Sequence, residues 1–212
     1  MRDGVNKSVH YYDDEGRHHL SKTAQLAVKR GTELEIAKYV VFTSDGDGAL
    51  ALTKHLKETP AKVVAVSFPY KQPFKIADDG GTTHEVFPGT SSPEVAKALA
   101  DAGISLVRGP APFAESFFIP GVKDPKLEGI RYALQLISGG LHLCIQAITM
   151  ATDAGYLEPG EDVVSMAADT AIVASASSTR LLFHPQVGME IREIICKPRK
   201  LTLTRDRGNR PH

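Results

Sequence analysis

The sequence predicts a single three-layer α/β/α domain on a mostly parallel sheet, with one or more antiparallel strands at the sheet's edge. Three observations predict it. Buried-type runs, YVVF (39–42), KVVAVSF (62–68) and ISLVRG (104–109), alternate with amphipathic helical stretches, a pattern that calls for right-handed βαβ crossovers and parallel pairing. The last strand-like runs, DVVSM (162–166), TAIVAS (170–175) and MEIREIICKP (189–198), follow one another with no helix between them, so they can pair antiparallel. The chain has 212 residues, 42% of them apolar, enough for one real core.

The elements follow in order. Residues 21–35 carry apolar Ala24, Leu26, Ala27, Val28 and Leu34 against a polar face, which predicts a helix with Ser21 as N-cap. After the first strand, TSDGDG (43–48) opens a helix over 49–58 that Pro60 closes. Residues 69–91, with Pro69, Pro73, Gly80, Gly81, Pro88 and Gly89, predict a long irregular excursion. Ser92-Pro93 and Gly103 bracket a helix over 92–103. A second Pro/Gly-rich loop spans 110–125. From Leu127 to Ile148 an apolar stripe runs through one long helix over 126–153, interrupted at Gly139-Gly140 and ending at Gly155. Residues 1–200 form the domain, and 201–212 are expected to be a flexible basic tail.

Composition excludes several classes. Lys+Arg and Asp+Glu are 25 each, so no basic excess points to nucleic acid. The two cysteines, Cys144 and Cys196, sit in apolar runs and make no zinc or disulfide pattern. No apolar run approaches the ~18 residues a membrane span needs. The polar N-terminus has no signal-peptide core, so a cytoplasmic protein is expected. The eight histidines form no HxH or HExxH motif. His18 and His19 are neighbours that should point apart on a regular element, so they read as solvated, and no metal site is expected.

The chemistry-bearing candidate is the turn Thr43-Ser44-Asp45-Gly46-Asp47-Gly48. It leaves the carboxyl end of a buried strand, where open α/β sheets bind ligands. Free amides at a helix start, glycines that allow close approach and the Thr43 and Ser44 hydroxyls would make an anion cradle. Its alternative is an ordinary turn in which Asp45 or Asp47 caps the helix. Gly46→Val is expected to crowd the cradle and weaken binding. The spacing Gly46-x-Gly48-x-x-Ala51 matches a dinucleotide fingerprint, but the second strand ends Ser67-Phe68-Pro69 without the acid a ribose needs. An EF-hand fails at its twelfth position, Leu56. Asp45, Asp47, His84, Glu85 and Asp169 could act as acid or base, yet nothing in the spacing joins them.

Five stretches together resemble small stand-alone proteins built like the C-terminal domain of pyruvate kinase. They are YYDDEG (11–16), YVVFTSDGDGALAL (39–52), the run 130–164 with Met150-Ala151-Thr152-Asp153-Ala154-Gly155, ADTAIV (168–173) and EIREIICKPR (190–199). They cover about half of the chain. The resemblance implies a three-layer sheet and a phosphate-sized site, with Thr43, Ser44, Gly46, Asp47 and Gly48 in the first turn and Asp169 and Thr170 in a second loop on the same side. It also implies flavin mononucleotide (FMN) as a cofactor. The chain departs from the family pattern at His19-Leu20, at Gly48, at FPYKQPF (68–74) and in the shortened stretch before Asp169, all on the ligand side. The enzyme's own chemistry belongs to a separate barrel, so this chain is not a pyruvate kinase.

The expectation for function is a module that binds a phosphorylated small molecule, FMN among the candidates. The alternatives are an enzyme acting on such a ligand, or a structural or partner-binding protein with a degraded site. Self-association through the apolar stripe of 126–153 is a further expectation.

Overall fold

The computed structural model describes residues 4, 6–56, 60–77, 83–113, 124–202 and 204. Nine strands and five α-helices are described: β1 (His10–Tyr12), α1 (Leu20–Glu33), β2 (Lys38–Phe42), α2 (Asp47–His55), β3 (Lys62–Ser67), β4 (Phe74–Ala77), β5 (Thr83–Val86), α3 (Pro93–Asp101), β6 (Ser105–Arg108), α4 (Pro125–Gln135), α5 (Leu141–Asp153), β7 (Asp162–Met166), β8 (Ala171–Ser175) and β9 (Glu190–Pro198). Seven strands form one sheet in the order β1-β9-β8-β7-β2-β3-β6, and β4 and β5 form a separate antiparallel pair.

The fold is α/β with a mostly parallel, mixed sheet. Strands β7, β2, β3 and β6 run parallel, as the alternation of strands and helices requires. Alternation in and out of the sheet divides the core into two layers. Tyr39, Val41, Val63, Ala65, Val164 and Met166 pack under α1, α2 and α3. Val40, Phe42, Val64, Val66 and Val163 pack under α5. Both faces are covered, which is why these strands read as unbroken apolar runs.

Several expectations are corrected. The antiparallel strand, β8, lies inside the sheet, between β7 and β9. Beyond it β9 turns back, and the three-residue β1 pairs parallel to β9 as the edge strand. Two register shifts between β8 and β9 break the period-two pattern, so Ile195 and Cys196 both face the α1 layer. The single helix over 126–153 is two helices. Gly140 ends the break, because a Cβ there would stand 2.7 Å from the Thr170 Cβ, and Ser138 Oγ accepts the Gly140 amide at 3.1 Å. No residue of α4 is buried, whereas 11 of the 13 residues of α5 are. The α5 half of the apolar stripe, Leu141, Cys144, Ile145 and Ile148, therefore covers its own sheet.

Helix α1 starts at Leu20 rather than at Ser21, because a 3-10 turn over Arg17–His19 runs straight into it. The excursion at 69–91 holds the β4–β5 hairpin; residues 78–82 of it lie outside the described residues, as do 114–123 of the 110–125 loop. Of the basic tail, 203 and 205–212 also lie outside the described residues, but Thr202 and Thr204 are tied down: the Thr204 amide donates to Glu15 Oε2 at 2.8 Å. Ser92 caps α3 as expected, with its side chain accepting the Val95 amide. Both cysteine thiols are fully buried, and burial pushes Cys196 up to about 11.

Candidate functional site

The chain reverses its winding between β2 and β7. From β2 it steps through α2 to β3 on one side, and the chain later places β7 on the other. The carboxyl ends of those two strands mark the topological switch point, the place where open sheets bind ligands. The two nominated stretches stand on either side of it: residues 43–48 follow β2, and Asp169-Thr170 follow β7.

Thr43 continues β2, donating its amide to the Val66 carbonyl at 2.9 Å. Gly46 adopts φ 90° as N-cap of α2, and its amide donates to Thr43 Oγ1 at 2.9 Å. Asp45 Oδ1 accepts the Asp47 amide at 3.0 Å and the Thr43 hydroxyl at 3.1 Å. The Gly46 and Asp47 amides are thus held by the turn's own side chains, which corrects the expectation that they are free donors of an anion cradle. Gly89 and Thr90, at the end of the excursion, close over the turn. The Thr90 amide donates to the Ser44 carbonyl at 3.0 Å, and a Cβ on Gly89 would lie 3.2 Å from Asp45 Cα.

On the other side, Asp169 and Thr170 are buried. Thr170 Oγ1 bonds Asp169 Oδ1 at 3.0 Å and meets the Ser138 hydroxyl. The loop closes with the Ala167 amide on the Thr170 carbonyl at 2.9 Å.

Sequence reasoning missed the segment that joins the two sides. Gly16 donates its amide to Asp169 Oδ2 at 2.9 Å, while the next residue, Arg17, pairs with both Asp45 and Asp47. YYDDEG was visible as a family-like opening, but no spacing places it over the turn after β2. The acid–base nominees divide accordingly. Asp45 and Asp47 share Arg17, Asp169 lies across the crevice, and His84 and Glu85 sit on the separate β4–β5 hairpin.

The two buried-side carboxylates are tuned in opposite directions. Burial works against ionised Asp45, but Arg17, the Asp47 amide and the Thr43 hydroxyl outweigh it and hold its pKa below the ordinary 3.8. Burial dominates at Asp169 and raises its pKa; the Gly16 amide and Thr170 hydroxyl offset it only in part. A carboxyl group whose folded pKa is raised binds its proton more tightly in the folded chain. Ionised Asp169 therefore costs stability at neutral pH, and that cost disappears as pH falls through its folded value towards 3.8. Asp169→Asn is expected to gain stability relative to the parent at pH 7 and to lose that advantage by pH 4, read by urea denaturation at both. A pH-independent difference would show that burial does not govern this carboxyl.

No family model matches the chain. Among solved structures it is similar to three of pyruvate kinase from Cryptosporidium parvum. The first matches at 12% identity over 74% of this chain, with a TM-score of 0.39. The second matches at 12% over 83%, with a TM-score of 0.35. The third, a complex with ADP, matches at 14% over 90%, with a TM-score of 0.36. This chain spans 22%, 22% and 25% of those chains. The likeness is one of coarse fold at most. Among the described residues no helix is long and apolar enough to cross a membrane.

Proposed function

We propose that this chain is a binding module for a small phosphorylated molecule, seated at the crevice between the carboxyl ends of β2 and β7. One observation carries the reading. The corner at the start of α2 already stabilises a negative group, the Asp45 carboxylate, through a backbone amide, a hydroxyl and the Arg17 guanidinium. Those are the donors a phosphate oxygen takes at a helix start. Asp45 stands in for that oxygen, and a ligand phosphate would displace it and take over Arg17, whose side chain is 57% exposed. Ser44, Gly46, Gly48 and, across the crevice, Thr170 complete the neighbourhood. FMN is one candidate because it offers a terminal phosphate.

Removing the internal competitor tests this. In Asp45→Ala the Asp47 amide loses its acceptor and Arg17 keeps only its exposed pair with Asp47, so inorganic phosphate, sugar phosphates or FMN are expected to bind about tenfold or more tighter than to the parent chain. Binding is read as a rise in melting temperature, and for FMN also as quenched flavin fluorescence. Arg17→Ala should abolish the gain when combined with Asp45→Ala. A second reading is favoured by the closure of the corner by Asp45, Arg17 and Gly89-Thr90: a chain that keeps the fold without a ligand. If no phosphate compound shifts either the parent or Asp45→Ala, the binding module is ruled out and that second reading stands.

A further inference from the structure

Histidines 18 and 19 do not point apart. The 3-10 turn over Arg17–His19 folds them back over Asp14, and both rings turn Nε2 to the same carboxylate oxygen, Asp14 Oδ1, at 3.2 Å from His18 and 2.9 Å from His19. The ring centroids are 3.9 Å apart. We propose that Asp14, His18 and His19 form a binding site for a divalent transition-metal cation of the zinc class.

The geometry fits the chemistry. The three donor atoms all lie within 4.8 Å of one another. A cation held by imidazole nitrogen and carboxylate oxygen at about 2.0–2.2 Å places neighbouring donors about 3.3 Å apart in a tetrahedron. The two N···O separations are already close to that value, so a cation needs only to replace the shared proton contacts. Two imidazoles with one carboxylate suit zinc, cobalt or nickel over magnesium or calcium, which prefer oxygen alone.

The surroundings hold the set in place. His19 stacks on Tyr12, with centroids 4.1 Å apart and planes at 17°, and its side chain is only 17% exposed. Tyr12 in turn is buried and hydrogen-bonded to Thr23 of α1 at 2.9 Å. His18 lies against the backbone of Gly16, where any Cβ would stand 2.7 Å from its Cε1 and Nδ1. A side chain there would have to push that ring aside. His18 and Asp14 are more than half exposed, so a cation can enter and water can complete its shell. Arg17 faces the other way, into Asp45 and Asp47, and does not compete for Asp14.

The test is a Zn2+ titration of the full chain against a chromophoric chelator, with Co2+ absorption as a second readout. The parent is expected to take up one equivalent, and Asp14→Ala and His18→Ala each to lose more than about tenfold in affinity. Both side chains are exposed, so the metal-free melting temperature should match the parent's; should one variant fail to fold, the other decides. Excess Mg2+ should not compete. Equal zinc affinity in the parent and in either folded variant, or no stoichiometric uptake by the parent, overturns the site. Neither result depends on whether the phosphate reading holds.

Discussion

Gly46→Val is expected to lower stability by about 3 kcal/mol or more, and to do so whether or not any ligand is present. Gly46 stands at φ 90°, ψ −15°, a region where a β-branched residue costs roughly 1–3 kcal/mol. It is also enclosed. A Cβ at this position would lie 3.1 Å from Val95 Cγ1 and 3.3 Å from Leu99 Cδ2, both on α3, and Leu99 is fully buried. Overpacking of that kind adds about 1–3 kcal/mol. For a chain of this length the two together correspond to a fall of roughly 10 °C in melting temperature, measurable by calorimetry or urea denaturation. Wild-type stability in the variant would show that α3 yields freely beneath the turn. From the sequence alone the same substitution should weaken a ligand's hold by crowding its cradle. The structure gives Gly46 a different neighbour: its missing side chain makes room for α3, not for an anion. Asp45 and Arg17 are for that reason the positions that report on binding.

That difference shows which parts of this molecule local pattern could reveal. The parallel strands were legible because a strand buried on both faces needs an unbroken apolar run, and β2 and β3 have one. Ser92-Pro93 was legible because a cap and its N1 proline act within one turn. The turn at 43–48 was legible as a turn for the same reason. What the local pattern could not carry was contact between distant segments. β1 is three residues long and exists because β9 offers it an edge. The break between α4 and α5 is set by Thr170, some 30 residues away, filling the space beside Gly140. The placement of Arg17 on Asp45 and Asp47, and of Gly16 on Asp169, joins segments 28 to 153 residues apart. The convergence of His18 and His19 is local, but it depends on a 3-10 turn, whereas the expectation that they diverge assumed a regular element.

Tyr39→Ala is the second substitution expected to have a large effect, about 4 kcal/mol by analogy with other buried aromatic truncations. Tyr39 is 1% exposed on β2, an interior strand of the sheet, with its ring beneath α1. The fit is mutual: α1 has glycine at position 31, where a Cβ would stand 2.7 Å from Tyr39 Cζ, so helix and ring approach each other only because that side chain is absent. Tyr39→Phe keeps the ring and should cost only about 1 kcal/mol, the worth of the lost hydroxyl interaction with Thr32. The gap between the two variants measures ring packing. The consequence reaches the crevice, because α1 begins directly after the 14–19 segment that carries Arg17 and the histidine pair. Loosening the far end of α1 should therefore speed hydrogen exchange at the Gly16 amide in Tyr39→Ala more than in Tyr39→Phe. If Tyr39→Ala were strongly destabilised with Gly16 exchange unchanged under native conditions, the segment would be anchored by Asp169 and Asp45 alone, and α1 would be only a cover for the sheet.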